Sequence, residues 1–201
     1  MAKIKLSKNE LKRQKEALQR FTRFLPTLQL KKKQLQFEIT KIDRYIDDTR
    51  RKIESLNKQL EPWIAVFAEK FKLEDLIGVK EMATNVGSIA GVDIPVLKDV
   101  KFTEKEYDFF LAPVWVDRGI EVCRDMIRLL IELRIFEEQH GILEEELRIT
   151  TQRVNLFEKI KIPEAKENIR VIRIYLGDLQ TVEVVRGKIA KAKISRKSAL
   201  L

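Results

Sequence analysis

Side chains able to carry out chemistry are few in this chain of 201 residues and are scattered along it. The single histidine, His140, could move a proton or hold a metal ion. A metal site would need companions at ligand spacing, and no second histidine or nearby cysteine supplies one. Carboxylates cluster at Glu137-Glu138 and at Glu144-Glu145-Glu146. Two acids at such a spacing could serve as acid and base, but these stand between the apolar positions of a helical repeat. That placement suits a solvated face or a partner contact. Cys123, the sole cysteine, has no partner for an internal disulfide and falls inside a helical pattern, where a thiol packs as a small apolar group. Neither GxxxxGK followed by Ser or Thr nor GxGxxG occurs, and Gly91-Val-Asp reads as a turn. No catalytic constellation, metal or cofactor is expected, and the chain is not expected to be an enzyme.

Positive charge is the more organised chemical feature. Residues 1–33 hold 11 Lys/Arg and 2 acids, residues 186–201 hold six Lys/Arg and no acid, and the stretch between is net −6 within a total of +9. Lys12, Arg13 and Lys31-Lys-Lys33 represent the first cluster; Lys188, Lys191 and Lys193 represent the second. Were the two ends side by side, this charge would form one basic pole. Contact with nucleic acid is chemically open to such clusters. Only Phe21 and Phe24 lie near the first cluster, however, no aromatic accompanies the second, and no nucleic-acid motif appears. No nucleic-acid partner is therefore expected.

Long helices must position these groups. The chain has only 7 Gly and 5 Pro, and 35% of it is charged. That composition leaves few turns and suits long helices. From Leu11 to Phe67, steps alternating between three and four residues meet apolar side chains at fourteen of seventeen positions. Leu35, Ile39, Ile42, Ile46, Ile53, Leu56 and Leu60 lie on this seam, as do Trp63 and Phe67. A heptad pattern sustained this long requires a partner helix. Pro26 interrupts it without shifting its phase, which predicts a kink rather than a stop, and Pro62 marks a second kink near the helix end.

A second seam runs from Val122 through Leu129, Leu133, Phe136, His140, Leu143, Leu147 and Val154 to Phe157. It resumes at Ile162 and continues through Ile169 and Ile172 to Leu179. The five-residue step from Phe157 to Ile162 predicts a local change of helical phase. Between the seams, Gly87, Gly91 and Pro95 punctuate β-branched residues, which predicts a small β-hairpin over 86–102 with a turn at Lys98-Asp99. Pro95 restricts it to an edge pairing.

The expected fold is all-α: a long antiparallel two-helix coiled coil with a small β-hairpin and short-helix head in mid-chain. Residues 1–73 form the first helix, 74–112 the head and 113–201 the second helix, and the two helices pack together. At ~1.5 Å per residue, a helix of about 68 residues is roughly 100 Å long. No run of 18 apolar residues suggests membrane insertion, and Met1-Ala-Lys-Ile-Lys-Leu-Ser is too polar for a signal peptide. A cytoplasmic setting is expected. A scaffolding or mechanical role follows, for which a free-standing coiled-coil adaptor is the alternative form.

Three segments bear a more specific likeness. Leu28-Gln-Leu30-Lys31-Lys-Lys33-Gln-Leu35 is a Leu/Lys-rich helical motif, and Ser88-Ile-Ala-Gly91-Val92-Asp-Ile-Pro95-Val-Leu97 is a hairpin segment. The third is Gln152-Arg153-Val154-Asn155-Leu-Phe-Glu158, followed by Ile162-Pro163 and by Ile169-Arg170 with Ile172-Arg173. In that order and spacing they resemble the D subunit of the V-type and archaeal-type ATPases, over essentially the whole chain. Two regions depart from that pattern, the start around Phe24-Leu-Pro26 and a C-terminal end with fewer acids. The resemblance implies a central rotor shaft whose helical termini sit inside a ring of A and B subunits, where the ATP chemistry takes place. It implies further partners in the small F subunit and in a socket subunit of the membrane rotor. The basic pole would then lie in the ring bore, and the protein would be peripheral to the cytoplasmic membrane with no direct insertion.

Overall fold

The computed structural model describes residues 4–62, 76–105, 107 and 112–198. These residues are mostly helical, with one two-stranded antiparallel sheet. The elements are α1 (Lys8–Leu60), β1 (Ile77–Ile89), β2 (Val92–Glu104), α2 (Val116–Asn155), a π-helical segment (Leu156–Lys161) and α3 (Ile162–Ser198). Trp63, Phe67 and the remainder of 63–75 lie outside the described residues.

Helix α1 begins at a capping motif. The Ser7 hydroxyl accepts the Glu10 backbone N–H at 3.2 Å, and the Leu11 N–H reaches the Ser7 carbonyl at 3.0 Å. Ser-x-x-Glu ahead of an apolar repeat is a sequence-level helix start. The helix continues through Pro26. A proline removes one backbone donor and crowds the preceding turn, so continuous tertiary packing on both sides must outweigh that cost.

The chain divides into two compact units, Lys31–Ile149 and Met1–Leu30 with Thr150–Leu201. In the first, Leu35, Ile42 and Ile46 of α1 form a core with Leu143 of α2 and Ile94 of β2. Leu35 and Leu143 are completely buried. Burial of a leucine side chain stabilises by about 1.5–3 kcal/mol. Contacts along the two helices run in opposite order. Lys31 pairs with Glu146 at 2.7 Å and Arg50 with Glu137 at 2.9 Å, and between them Asp43 lies 3.2 Å from His140; the Tyr45 and Phe136 rings lie 5.6 Å apart beside the second pair. A smaller cluster of Ile77, Val116 and Ile120 seats the base of the sheet against the start of α2.

The hairpin differs from its sequence expectation. Its strands have 13 residues each, Ile89 pairs with Val92, and the turn is Ala90-Gly91. Both turn residues have positive φ, 51° and 74°. Two left-handed residues match the right-handed twist of the flanking strands. Lys98-Asp99 is not a turn: Ala83 pairs with Asp99 and Thr84 with Leu97, so the register shifts there and Lys98 is the extra residue of a bulge. The hairpin therefore runs from Ile77 to Glu104 rather than over 86–102. Pro95 is tolerated because each strand of a two-stranded sheet is an edge.

In the second unit, the early turns of α1 face the π-helical segment and α3. Phe21 packs on Phe157 with ring centroids 5.0 Å apart, and Asn168 reaches the Gln14 side chain at 3.4 Å. Val154, Ala165, Ile169 and Ile172 are buried. The π-helical turn lies where the apolar spacing jumps by five, and the Ile162 N–H donates to the Phe157 carbonyl, five residues back. The wider turn rotates α3 so that its apolar stripe stays aligned after the jump. Beyond Leu176, every α3 residue through Ser195 is exposed.

Candidate functional site

Most of the groups best able to do chemistry are engaged by polar or charged neighbours. His140 Nε2 lies 3.2 Å from Asp43 of α1, and its Nδ1 lies 3.9 Å from Glu144. Glu145 accepts two hydrogen bonds from Arg148, Glu146 takes Lys31, and Glu137 takes Arg50. The Arg148 guanidinium holds the Glu145 carboxyl below the ordinary carboxylate range. Burial pushes the Cys123 thiol up, away from the reactive thiolate. Among the described residues, no group of three or more His, Cys, Asp or Glu is placed to hold a metal.

The remaining candidates are helix faces and a hairpin. Along α1, Leu35, Ile42 and Ile46 are buried, whereas Leu28, Ile39, Ile53, Leu56 and Leu60 are half-buried. Along α2, Leu143 and Val154 are buried, whereas Leu129, Leu133, Phe136 and Leu147 are half-buried. Of the motif residues, Lys31 bridges to α2, Leu30 and Lys33 are exposed, and Gly91 supplies the left-handed turn with Val92 beside it. Pro95 accepts a hydrogen bond through its carbonyl from the Gln139 side chain. Arg153 and Asn155 are exposed at the end of α2, Glu158 lies in the π-helical turn, and Pro163 opens α3 one residue after Ile162. Ile169 is buried, and Arg170 forms a double hydrogen bond to Glu167 at 2.7 and 2.9 Å.

Lys12 and Arg13 share a unit with Lys188, Lys191 and Lys193 but do not come together with them, and Lys31–Lys33 belong to the other unit. Gln14 lies beside Asn168, so Lys12 and Arg13 stand level with residues near 168–172. Lys188, Lys191 and Lys193 lie 20 or more residues further along the same helix as Asn168. At ~1.5 Å per residue that is roughly 30 Å away. All five side chains are exposed. The charge is a drawn-out strip rather than a compact pole.

A second buried face of α2 has no counterpart in the heptad pattern. Ile135 and Gln139 are buried at 4% and 6% exposure. Both line a hollow of about 640 Å³ with Tyr45 and Thr49 of α1 and Val96 and Val100 of β2. Ile131, Ile135, Gln139 and Ile142 recur at steps of three and four beside the main seam, which is the sequence signal for this face.

Packed helix faces and one hairpin dominate the described residues, and comparison with known proteins gives the chain a family. The family model for the D subunit of ATP synthase matches residues 10–192. A V-type ATP synthase D subunit from Borreliella burgdorferi is 48% identical over 198 residues, covering 98% of both chains. Similar proteins of the same description occur in Chlamydia trachomatis serovar L2, 34% identical over 97% of this chain and 98% of that one, and in Chlamydia abortus, 31% identical over 98% and 96%. The chain belongs to the ATP synthase D-subunit family. Among the described residues, no helix is long and apolar enough to cross a membrane.

Proposed function

We propose that this chain is the central rotor shaft of a V-type rotary ATPase, carrying torque between an ATP-binding ring of A and B subunits and the membrane ion-translocating rotor. The family match over residues 10–192 carries this reading. The opposed order of contacts between α1 and α2 supports an antiparallel coiled coil as the torque-bearing element. Its parts are a first shaft helix over 1–73, a head over 74–112 and a second shaft helix over 113–201. Two helices packed along a shared seam resist twisting better than one. An asymmetric shaft presents different faces to the ring's sites at any moment, so each site favours a different conformation.

On this reading the chain is non-catalytic and ATP chemistry belongs to other subunits. The basic helix ends work in the ring bore, where long-range charge guides docking without a directional lock. The hairpin head faces the membrane rotor's socket subunit, and the F subunit docks on the lower shaft. The protein is held at the cytoplasmic membrane through the complex, without inserting. Native membranes solubilised with a tagged copy of this chain should yield A, B and F subunits in fixed stoichiometry. Recovery of the chain in assemblies lacking an ATP-hydrolysing ring would contradict the proposal.

A further inference from the structure

A groove in the unit formed by residues 1–30 and 150–201 collects positive charge that nothing in the described structure neutralises. It has a volume of about 750 Å³. Lys15 and Arg23 of α1 line one wall, and Lys166 and Arg173 of α3 line the other. The α1 lining residues fall at i, i+3, i+4, i+7 and i+8 from Lys15, and those of α3 at i, i+3 and i+7 from Lys166, so each wall is a single helix face. None of these four cations has an ion pair among the described residues, although Arg148 and Arg170 elsewhere are fully engaged with carboxylates. Glu16 lines an adjoining hollow with Gln19, Arg20 and Arg23, without forming an ion pair to Arg23.

The floor is apolar. Leu18 is half-buried and Ile169 is 7% exposed. Apolar surface rimmed by four cations suits a ligand carrying both chemistries. We infer that this groove binds an acidic amphipathic segment of a partner chain, with aliphatic side chains against Leu18 and Ile169 and carboxylates against Lys15, Arg23, Lys166 and Arg173. Free phosphate would satisfy the rim and leave the floor uncovered. A single nucleic-acid strand is served by aromatic stacking surfaces, and this lining contains no aromatic residue. The groove lies in the terminal unit that the shaft reading puts in the ring bore, so the inference deepens that reading; the binding test needs no ring, and its failure would leave the family assignment intact.

The test uses the full chain and a fluorescein-labelled synthetic helix bearing leucine at every third or fourth position and glutamate between them. Binding is followed by anisotropy. Three comparison probes are the same peptide with leucines changed to serine, inorganic tripolyphosphate, and a single-stranded oligonucleotide. The leucine–glutamate peptide should bind at low salt and weaken as salt rises. The double variant Lys166→Glu with Arg173→Glu should weaken it at least tenfold. Arg44→Glu with Arg134→Glu changes net charge equally in the other unit and should stay within twofold. The serine peptide should bind at least fivefold more weakly than the leucine peptide. Equal loss from both double variants would overturn the site in favour of bulk charge. Equal binding of the serine peptide, or displacement of the leucine peptide by tripolyphosphate or the oligonucleotide at comparable concentration, would overturn the ligand class.

Discussion

Thr150 is 1% exposed, and its hydroxyl has no hydrogen-bond partner among the described residues. A buried polar group left unpaired costs about 1–3 kcal/mol, whereas an apolar group of the same shape costs nothing comparable. Thr150→Val should therefore stabilise the chain by about 1 kcal/mol, and Thr150→Ser should destabilise it by loss of a methyl. Urea unfolding of the three proteins checks the order. At the surface, Arg148 lowers the pKa of Glu145 and Arg170 lowers that of Glu167. A carboxylate with a lowered folded pKa contributes stability that is complete above its unfolded pKa. That contribution is lost as pH falls through the folded one. The melting-temperature gap between the wild type and Glu145→Gln with Glu167→Gln should hold at neutral pH and close below the ordinary carboxylate range. A gap that persisted in acid would mean the pairs contribute by packing alone.

At the scale of elements, the same substitution should act with opposite signs at two glycines. Gly91 has φ of 74° and open space around it, so Gly91→Ala meets only backbone strain. The left-handed conformation costs an L-residue about 1–2 kcal/mol. Gly141 lies exposed within α2, also with open space, and Gly141→Ala should stabilise by about 0.5–1 kcal/mol. Thermal melts of the two variants should move in opposite directions. Leu143→Ala, in the fully buried core, should cost about 2–5 kcal/mol.

The elements also differ in how legible they are in the sequence. The α1 residues that the structure buries, Leu35, Ile42, Ile46 and Thr49, all stand on the three-and-four spacing. The five-residue step at Phe157 marks the π-helical turn, because a phase slip in a continuous helix must be absorbed by local widening. The position of the hairpin turn is masked for a physical reason. Ala90 is a poor left-handed residue, whereas Lys98-Asp99 has turn-like composition, and a bulge disturbs alternation in much the same way as a turn. The α2 face bearing Ile135 and Gln139 escapes a heptad reading, because a heptad follows one stripe and this helix buries two.

For the whole molecule, sequence composition makes the charge asymmetry plain but not its layout. Two basic ends suggest one pole, yet the opposed helices leave α3 exposed beyond Leu176, so its cations are displaced from those of α1. On the shaft proposal that bare, basic helix end is free to work in the ring bore. Deleting residues 186–201 should leave the rest folded and ATP hydrolysis on the ring partly intact, while ion transport per ATP falls. Parallel ATPase and ion-flux assays on reconstituted complexes check this, and loss of all hydrolysis would assign the tail a different role.

A shaft must rotate against its ring. Lys98 is exposed in the hairpin, so Lys98→Cys can carry a bead or gold particle while the A and B ring is fixed to a surface. On addition of ATP, the particle should rotate in one direction and stop when hydrolysis is blocked. A particle that stays fixed relative to a ring actively hydrolysing ATP would contradict the shaft proposal, and would make this chain a static part of the complex.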